Sequence, residues 1–163
     1  MPAAPLSDST VAFIEREVAI DVASCDAERR PSACRGFACR VAPDRQRLTV
    51  FVRRGEGAQV LQDVLGSDAI AVVFCLPASE AALQIKGRQV SLSAATPDDD
   101  AHVATYRQRF VDGVVCLGFG RDFATAYMTT EPGQMVAITF TPEAIFEQTP
   151  GPRAGQHMAG SAS

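Results

Sequence analysis

The chain has 163 residues, of which 47% are hydrophobic and 21% charged, and its net charge is −4 at neutral pH. That length allows one domain with a real core and leaves no room for two. The mildly acidic, ordinary composition argues against a general affinity for nucleic acid or for an anionic membrane surface.

Ser7-Asp8-Ser9-Thr10 has the composition of a helix N-cap, and Val11, Phe13 and Ile14 supply a short apolar stripe after it. Residues 18–25 partly alternate and are rich in β-branched side chains, which predicts a first strand. A polar turn closed by Pro31 leads to a second strand over residues 32–42 and a third over residues 47–53, an antiparallel meander. Val60, Leu61, Val64 and Leu65 share one helical face, with Gly66 as the expected C-cap. Residues 70–76 read as a strand buried on both faces and stopped by Pro77. Residues 83–93 alternate with a change of parity after Gly87, the mark of a bulge or barrel corner. Asp98-Asp99-Asp100 opens a helix carrying Val103, Tyr106 and Phe110, and the acidic run reads as a solvated N-terminus. Residues 114–119 are apolar and ambiguous, residues 135–140 form a late strand, and residues 142–148 a short separate element. Residues 1–155 are expected to form one domain, and residues 156–163 a flexible tail. Several short strands with few helices predict a mainly β protein, a small antiparallel β-barrel with flanking helices.

Five cysteines (Cys25, Cys34, Cys39, Cys75 and Cys116) sit in or beside apolar runs, without any Cys-x-x-Cys. All are expected to be reduced and at least three buried. The two histidines, His102 and His157, give little support for a zinc site or a Cys–His nucleophile pair. Met1-Pro2-Ala3-Ala4-Pro5 lacks the features of a signal peptide, and residues 69–76 are too few to span a bilayer, so a cytoplasmic location is expected.

Chemistry concentrates in two neighbouring runs, Cys34-Arg35-Gly36-Phe37-Ala38-Cys39-Arg40-Val41 and Leu48-Thr49-Val50-Phe51-Val52-Arg53-Arg54. Four arginines stand among apolar strand residues. Either they face water from a hairpin, or an anion meets them, because an unpaired buried charge is costly. Arg35 and Arg40 are five residues apart, which on a regular strand sends them to opposite faces; a bulge near Gly36 would bring them together.

With Ile70-Ala71-Val72-Val73-Phe74, Leu83-Gln84-Ile85-Lys86-Gly87 and the ending from Ile145 to Gly155, the order of elements over residues 18–87 resembles the pyridoxamine 5′-phosphate oxidase-like family of flavin-binding split barrels. The resemblance implies a split barrel that binds FMN at a homodimer interface and acts as an oxidoreductase on a small molecule. It further implies that Arg35 and Arg40 serve the flavin phosphate or ring and that Phe51 and Val52 run beside the isoalloxazine. Gln84 and Lys86 would contribute from the strand ending in Lys-Gly. The family's phosphate-gripping Ser-Arg-Lys falls here at Glu56-Gly57-Ala58, and Ala81-Ala82 replace a common Arg or Gln; Arg53 or Arg54 would substitute. Hydride transfer to flavin requires no acid or base side chain, so no catalytic residue is assigned. Two other functions stay open: a flavin-free split-barrel binding module, and a tetrapyrrole binder with His102, His157 or a cysteine as ligand.

Overall fold

Alternating apolar residues put Ile20 and Val22 inside and Asp21 outside on strand β1 (Ala19–Cys25) of the computed structural model, which describes residues 5–158. The chain continues through β2 (Pro31–Val41) and β3 (Leu48–Arg53), helix α2 (Ala58–Ser67), β4 (Ile70–Cys75) and β5 (Ala82–Ala94). Helices α3 (Pro97–Cys116) and α4 (Arg121–Tyr127) follow, then β6 (Met135–Glu147) and a two-residue β7 (His157–Met158); α1 (Asp8–Ile14) precedes β1. The antiparallel order is β3-β2-β1-β4-β5-β6, and β6 pairs back onto β3, so six strands close into a barrel. Closure leaves none of the six with a free edge. The fold is mainly β with flanking helices, as expected.

Inside lie Val22, Leu48, Val50, Val72, Phe74, Ile85, Ile138 and Phe140, each fully buried. α2 docks where β1 ends and β2 begins: Asp63 accepts from Ser32, and Ser24 bonds Ser67 and the Ala69 carbonyl. α1 docks at the other end, where the Cys39 thiol donates to the Ile14 carbonyl at 3.1 Å. Ser7 caps α1 as its composition predicts. α3 lies along the outside of β2 and β3, over Phe51, which is fully buried beneath it.

Several expectations need correction. β4 alternates buried and half-buried residues, so only its inner face is covered; Ala71, Val73 and Cys75 look outward. On α2 the buried stripe is Val60 and Val64, while Leu65 is 63% exposed. Its C-cap is the left-handed Asp68, whose carboxylate is held by the Val90 N–H, and not Gly66. Residues 142–147 belong to β6. Pro142 faces Gly87 at a register shift, a place in a strand where proline is tolerated. The shift beside Gly87 makes Glu143 of β6 the extra residue, and the parity change in β5 comes later, between Arg88 and Ser91, where Gln89 stands at φ +55°. Gly87 is needed for close approach instead, since a Cβ there would collide with the Thr141 carbonyl and the Phe140 ring. α4 was unforeseen; Gly118, at φ +98°, ends α3 and lets the chain reverse. His157 and Met158, assigned to the tail, pair with Phe146 and Ile145, while residues 159–163, like residues 1–4, lie outside the described residues. All five cysteines are free thiols, but only Cys39 is buried. Cys25 and Cys75 end strands near the rim, and Cys116 ends α3 toward solvent. Among the described residues, no helix is long and apolar enough to cross a membrane.

Candidate functional site

Gly36 pairs with Val52 and Ala38 with Phe51, so Phe37 is an extra residue in β2. This bulge flips the parity of the strand. Arg35 and Arg40, five apart, therefore both emerge on the outer face, under α3 and α4. Gly36 is needed there, because a side chain would press into Ile20 on the neighbouring strand.

The four arginines meet different fates. Arg40 donates to Asp99 at 2.6 Å and lies over the Phe51 ring. Asp99 also accepts from the Thr96 N–H, closing a capping box at the start of α3. Burial works to raise the Asp99 pKa, but the Thr96 and Arg40 hydrogen bonds outweigh it and hold the carboxyl below its usual value of 3.8. Arg40 thus ties the helix to the barrel. Arg53 spends Nε and Nη2 on Glu56, at 3.1 and 2.6 Å, and Nη1 on the Thr129 carbonyl at 3.1 Å. Arg54 is exposed on the following turn.

Arg35 differs. Its guanidinium stacks on the Tyr127 ring at 3.8 Å, and Nη1 reaches only the Met128 thioether at 3.6 Å. Asp21 stands directly across on β1, yet among the described residues no carboxylate forms an ion pair with Arg35. Burial lowers the Arg35 pKa, opposed mainly by the charge of Asp21.

Phe51 and Val52 are fully buried, Phe51 against α3 and His102, Val52 toward the barrel interior. β3 is paired on both edges, with β2 and with β6. Neither side chain offers a surface to a ligand. Gln84 and Lys86 point outward from β5; Lys86 is exposed, its Nζ 4.9 Å from the Phe146 ring centre. Lys86, but not Gln84, borders a groove of about 400 Å³ that Ala23, Ala71, Gly87, Arg88, Glu143 and Ala144 also line.

Arg35, Asp21, Val73 and Gln84 form one outward row across β2, β1, β4 and β5. Arg35 and Gln84 are three strands apart in either direction round a six-strand barrel. On the outside of such a barrel that row turns through about half the circumference. One flat ligand on one chain cannot meet both ends.

Glu56 stands just before the start of α2, whose first turn carries no acidic residue. Gly57, its N-cap, supplies no side-chain bond, and the adjacent groove of about 240 Å³ contains Glu56 and Glu131 with Arg53. His102 Nε2 lies 2.7 Å from the Cys39 carbonyl, which makes that nitrogen a donor. Burial pushes the Cys39 thiol up to about 12 and Cys34 up to about 11, far from reactive thiolates. No cluster of three or more metal-ligating side chains occurs among the described residues.

Sequence reasoning missed Asp99, Tyr106, Arg107, Tyr127 and Met128 as neighbours of the arginines. Thr96-x-x-Asp99 was a readable capping signature. Nothing local marked the others, because α4 itself was not foreseen.

No family model and no curated protein matches this sequence. Solved structures do match in fold, each with a TM-score of 0.51. An F420 reductase is 18% identical, with 82% of this chain and 93% of that one covered. A pyridoxamine 5′-phosphate oxidase-related, FMN-binding protein from Nostoc punctiforme is 12% identical, with 92% and 87% covered. HutZ, the heme storage protein from Vibrio cholerae, is 11% identical, with 88% and 94% covered. The resemblance read from residues 18–87 therefore holds at the level of fold: this chain is a split barrel of the kind found in pyridoxamine 5′-phosphate oxidase-related proteins.

Proposed function

We propose that this protein binds FMN between two copies of itself and acts as an oxidoreductase on a small molecule. The observation that carries this is Arg35: a half-buried guanidinium, stacked on an aromatic ring, with no anion of the protein's own paired to it. Such a group suits a phosphate, which a guanidinium can grip with two parallel hydrogen bonds. The fit to FMN is uneven. Arg35 and Lys86 have no carboxylate partner among the described residues, whereas Arg40 and Arg53 are already engaged. Glu56 disfavours phosphate at the start of α2, although its pairing with Arg53 balances its charge. When bound, the isoalloxazine would accept or donate the hydride. The protein's own residues would position it and balance its phosphate. The separation of Arg35 from Gln84 and Lys86 round the barrel favours a homodimer, in which the Arg35 wall of one copy meets the Lys86 wall of the other.

Heme draws less support from the residues. The His102 Nε2 is tied to a backbone carbonyl, and His157 stands on a two-residue edge strand against Phe146. The lack of a hydroxyl or cation at Glu56-Gly57-Ala58 favours the flavin-free alternative, a binding module without redox chemistry.

The test is titration of the purified protein with FMN and riboflavin, followed by flavin absorbance. FMN should bind, and Arg35→Ala should weaken FMN about ten- to a hundredfold while leaving riboflavin nearly unchanged. Absence of any spectral change or heat with FMN would support the flavin-free module instead.

A further inference from the structure

Four of the six large apolar side chains exposed among the described residues, Leu117, Phe119, Phe123 and Tyr127, fall within residues 117–127, the end of α3 and α4. Ala124 and Met128 are buried beneath α4, which leaves Phe123 and Tyr127 outward as a stacked pair, 6.0 Å between ring centres and 12° from parallel. Apolar groups gathered in this way on a surface mark a place where something else binds. Asp122, one position before Phe123, is exposed and forms no ion pair among the described residues, whereas Arg121 is matched by Asp112 at 2.9 Å.

The open side of the barrel offers the converse shape. Its groove of about 400 Å³ is lined by the small side chains of Ala23 and Cys25 at the end of β1, and of Ala69 and Ala71 at the start of β4. Lys86 and Arg88 of β5 stand along the same groove. Lys86 has no carboxylate partner among the described residues, and Arg88 reaches Glu143 only loosely, at 3.7 Å between exposed side chains. That margin is cationic where the α4 face is anionic.

We infer that α4 of one copy seats Phe123 in this groove of a second copy, between β1 and Lys86, with Asp122 against Arg88. Lys86 is left to the ligand. The inference rests on the dimer of the proposed function, for which it names the contacting surfaces, and it needs no flavin. Charge and shape both match, and symmetry favours a second copy over any other partner. Tyr127 lies over Arg35 of β2, and Ala23 belongs to β1, the next strand, so the two surfaces are neighbours on the barrel. One twofold axis between them puts α4 of each copy in the groove of the other, and the pair closes. The exposed parts of Phe119, Phe123 and Tyr127, with the surface that covers them and counted for both copies, come to about 1,200 Å², the lower end of a stable interface.

Sedimentation equilibrium of the purified chain without flavin tests this. The wild type should be a dimer at micromolar concentration. Phe123→Ala should raise the dimer dissociation constant about a hundredfold or more, because each dimer loses two aromatic anchors. Asp122→Arg should raise it about tenfold or more by setting like charges together, and adding Arg88→Asp should recover most of that loss. All three side chains are exposed in the single chain, so the variants keep the fold, which circular dichroism checks. A wild type that stays monomeric at tens of micromolar overturns the inference and leaves the aromatic patch to a different protein. A Phe123→Ala dimer as tight as wild type overturns it too, since the copies then meet elsewhere. So does an Asp122→Arg change that costs nothing, or whose cost Arg88→Asp does not recover. A dimer that answers as expected but takes no FMN keeps this interface and ends the flavin proposal. FMN binding by a dimer indifferent to Phe123→Ala does the reverse.

Discussion

The barrel has two outer walls built on different principles. Over β2 and β3, helix α3 seals Phe51, and two of the arginines are balanced by acids: Arg40 by Asp99 and Arg53 by Glu56. Over the outer face of β1, β4 and β5 no described helix lies; the surface is small residues, Ala23 and Ala71, with Lys86 beside them and no carboxylate of the described residues paired to it. Both walls share the same sheet and the same inner core. A covered wall can hold charge only where each charge is matched, so the one that is not, Arg35, stands out. On the open wall of a single copy Lys86 is exposed, and its lack of a carboxylate partner among the described residues says less.

The contrast makes a first prediction about stability. Phe51→Ala should cost about 3–5 kcal/mol, because it empties space beneath α3 that the barrel cannot close. Ala144→Ser, on the open wall, should stay within about 0.5 kcal/mol of wild type. Denaturant midpoints would measure both, and a large loss at Ala144 would mean that the partner copy packs tightly against that part of the open wall.

A smaller effect tests how the covered wall holds its helix. Asp99→Ala should cost about 1–2 kcal/mol, since it removes half of a capping box and the partner of Arg40. The Asp99 carboxyl is held below its usual value of 3.8, so its ionised form stabilises the fold above that pH. As pH falls through the lower folded value, that contribution disappears. The stability gap between wild type and Asp99→Asn should therefore be full at neutral pH and shrink below pH 3.8. A gap independent of pH down to acid unfolding would contradict the ion pair. Smallest of all, Lys86→Gln should leave stability within about 0.5 kcal/mol, as an exposed lysine with no acid partner has little to lose.

The two walls were also unequally legible in the sequence. Alternation exposed β1, β2, β3 and β5, because a half-buried strand must alternate, and the parity change within β5 announced a bulge that the structure puts at Gln89 and not at Gly87. The bulge that joins Arg35 to Arg40 could be required from their spacing before it was seen. β4 misled because Val73 and Ala71 are apolar on a face that none of the other described elements covers. Leu65 misled on α2 for the same reason. The partners of the arginines were hidden for a different cause. Asp99 lies 59 residues from Arg40 and Met128 lies 93 from Arg35, and no local pattern encodes such separations. Asp98-Asp99-Asp100 read as a solvated run, and only the fold singles out Asp99 as the one turned toward the barrel.

The central claim is that one ligand site takes Arg35 from one copy and Lys86 from another, because a closed barrel holds them on different walls. Mixing separately inactive chains tests it most directly. Arg35→Ala and Lys86→Ala proteins, each impaired in FMN binding, would be unfolded, mixed in equal amounts and refolded together. Random pairing of a symmetric dimer gives half mixed dimers, each with one site intact and one doubly altered. FMN binding at wild-type affinity should then return to roughly a quarter of the sites. A mixture that binds no more FMN than the two variants alone would contradict the shared site.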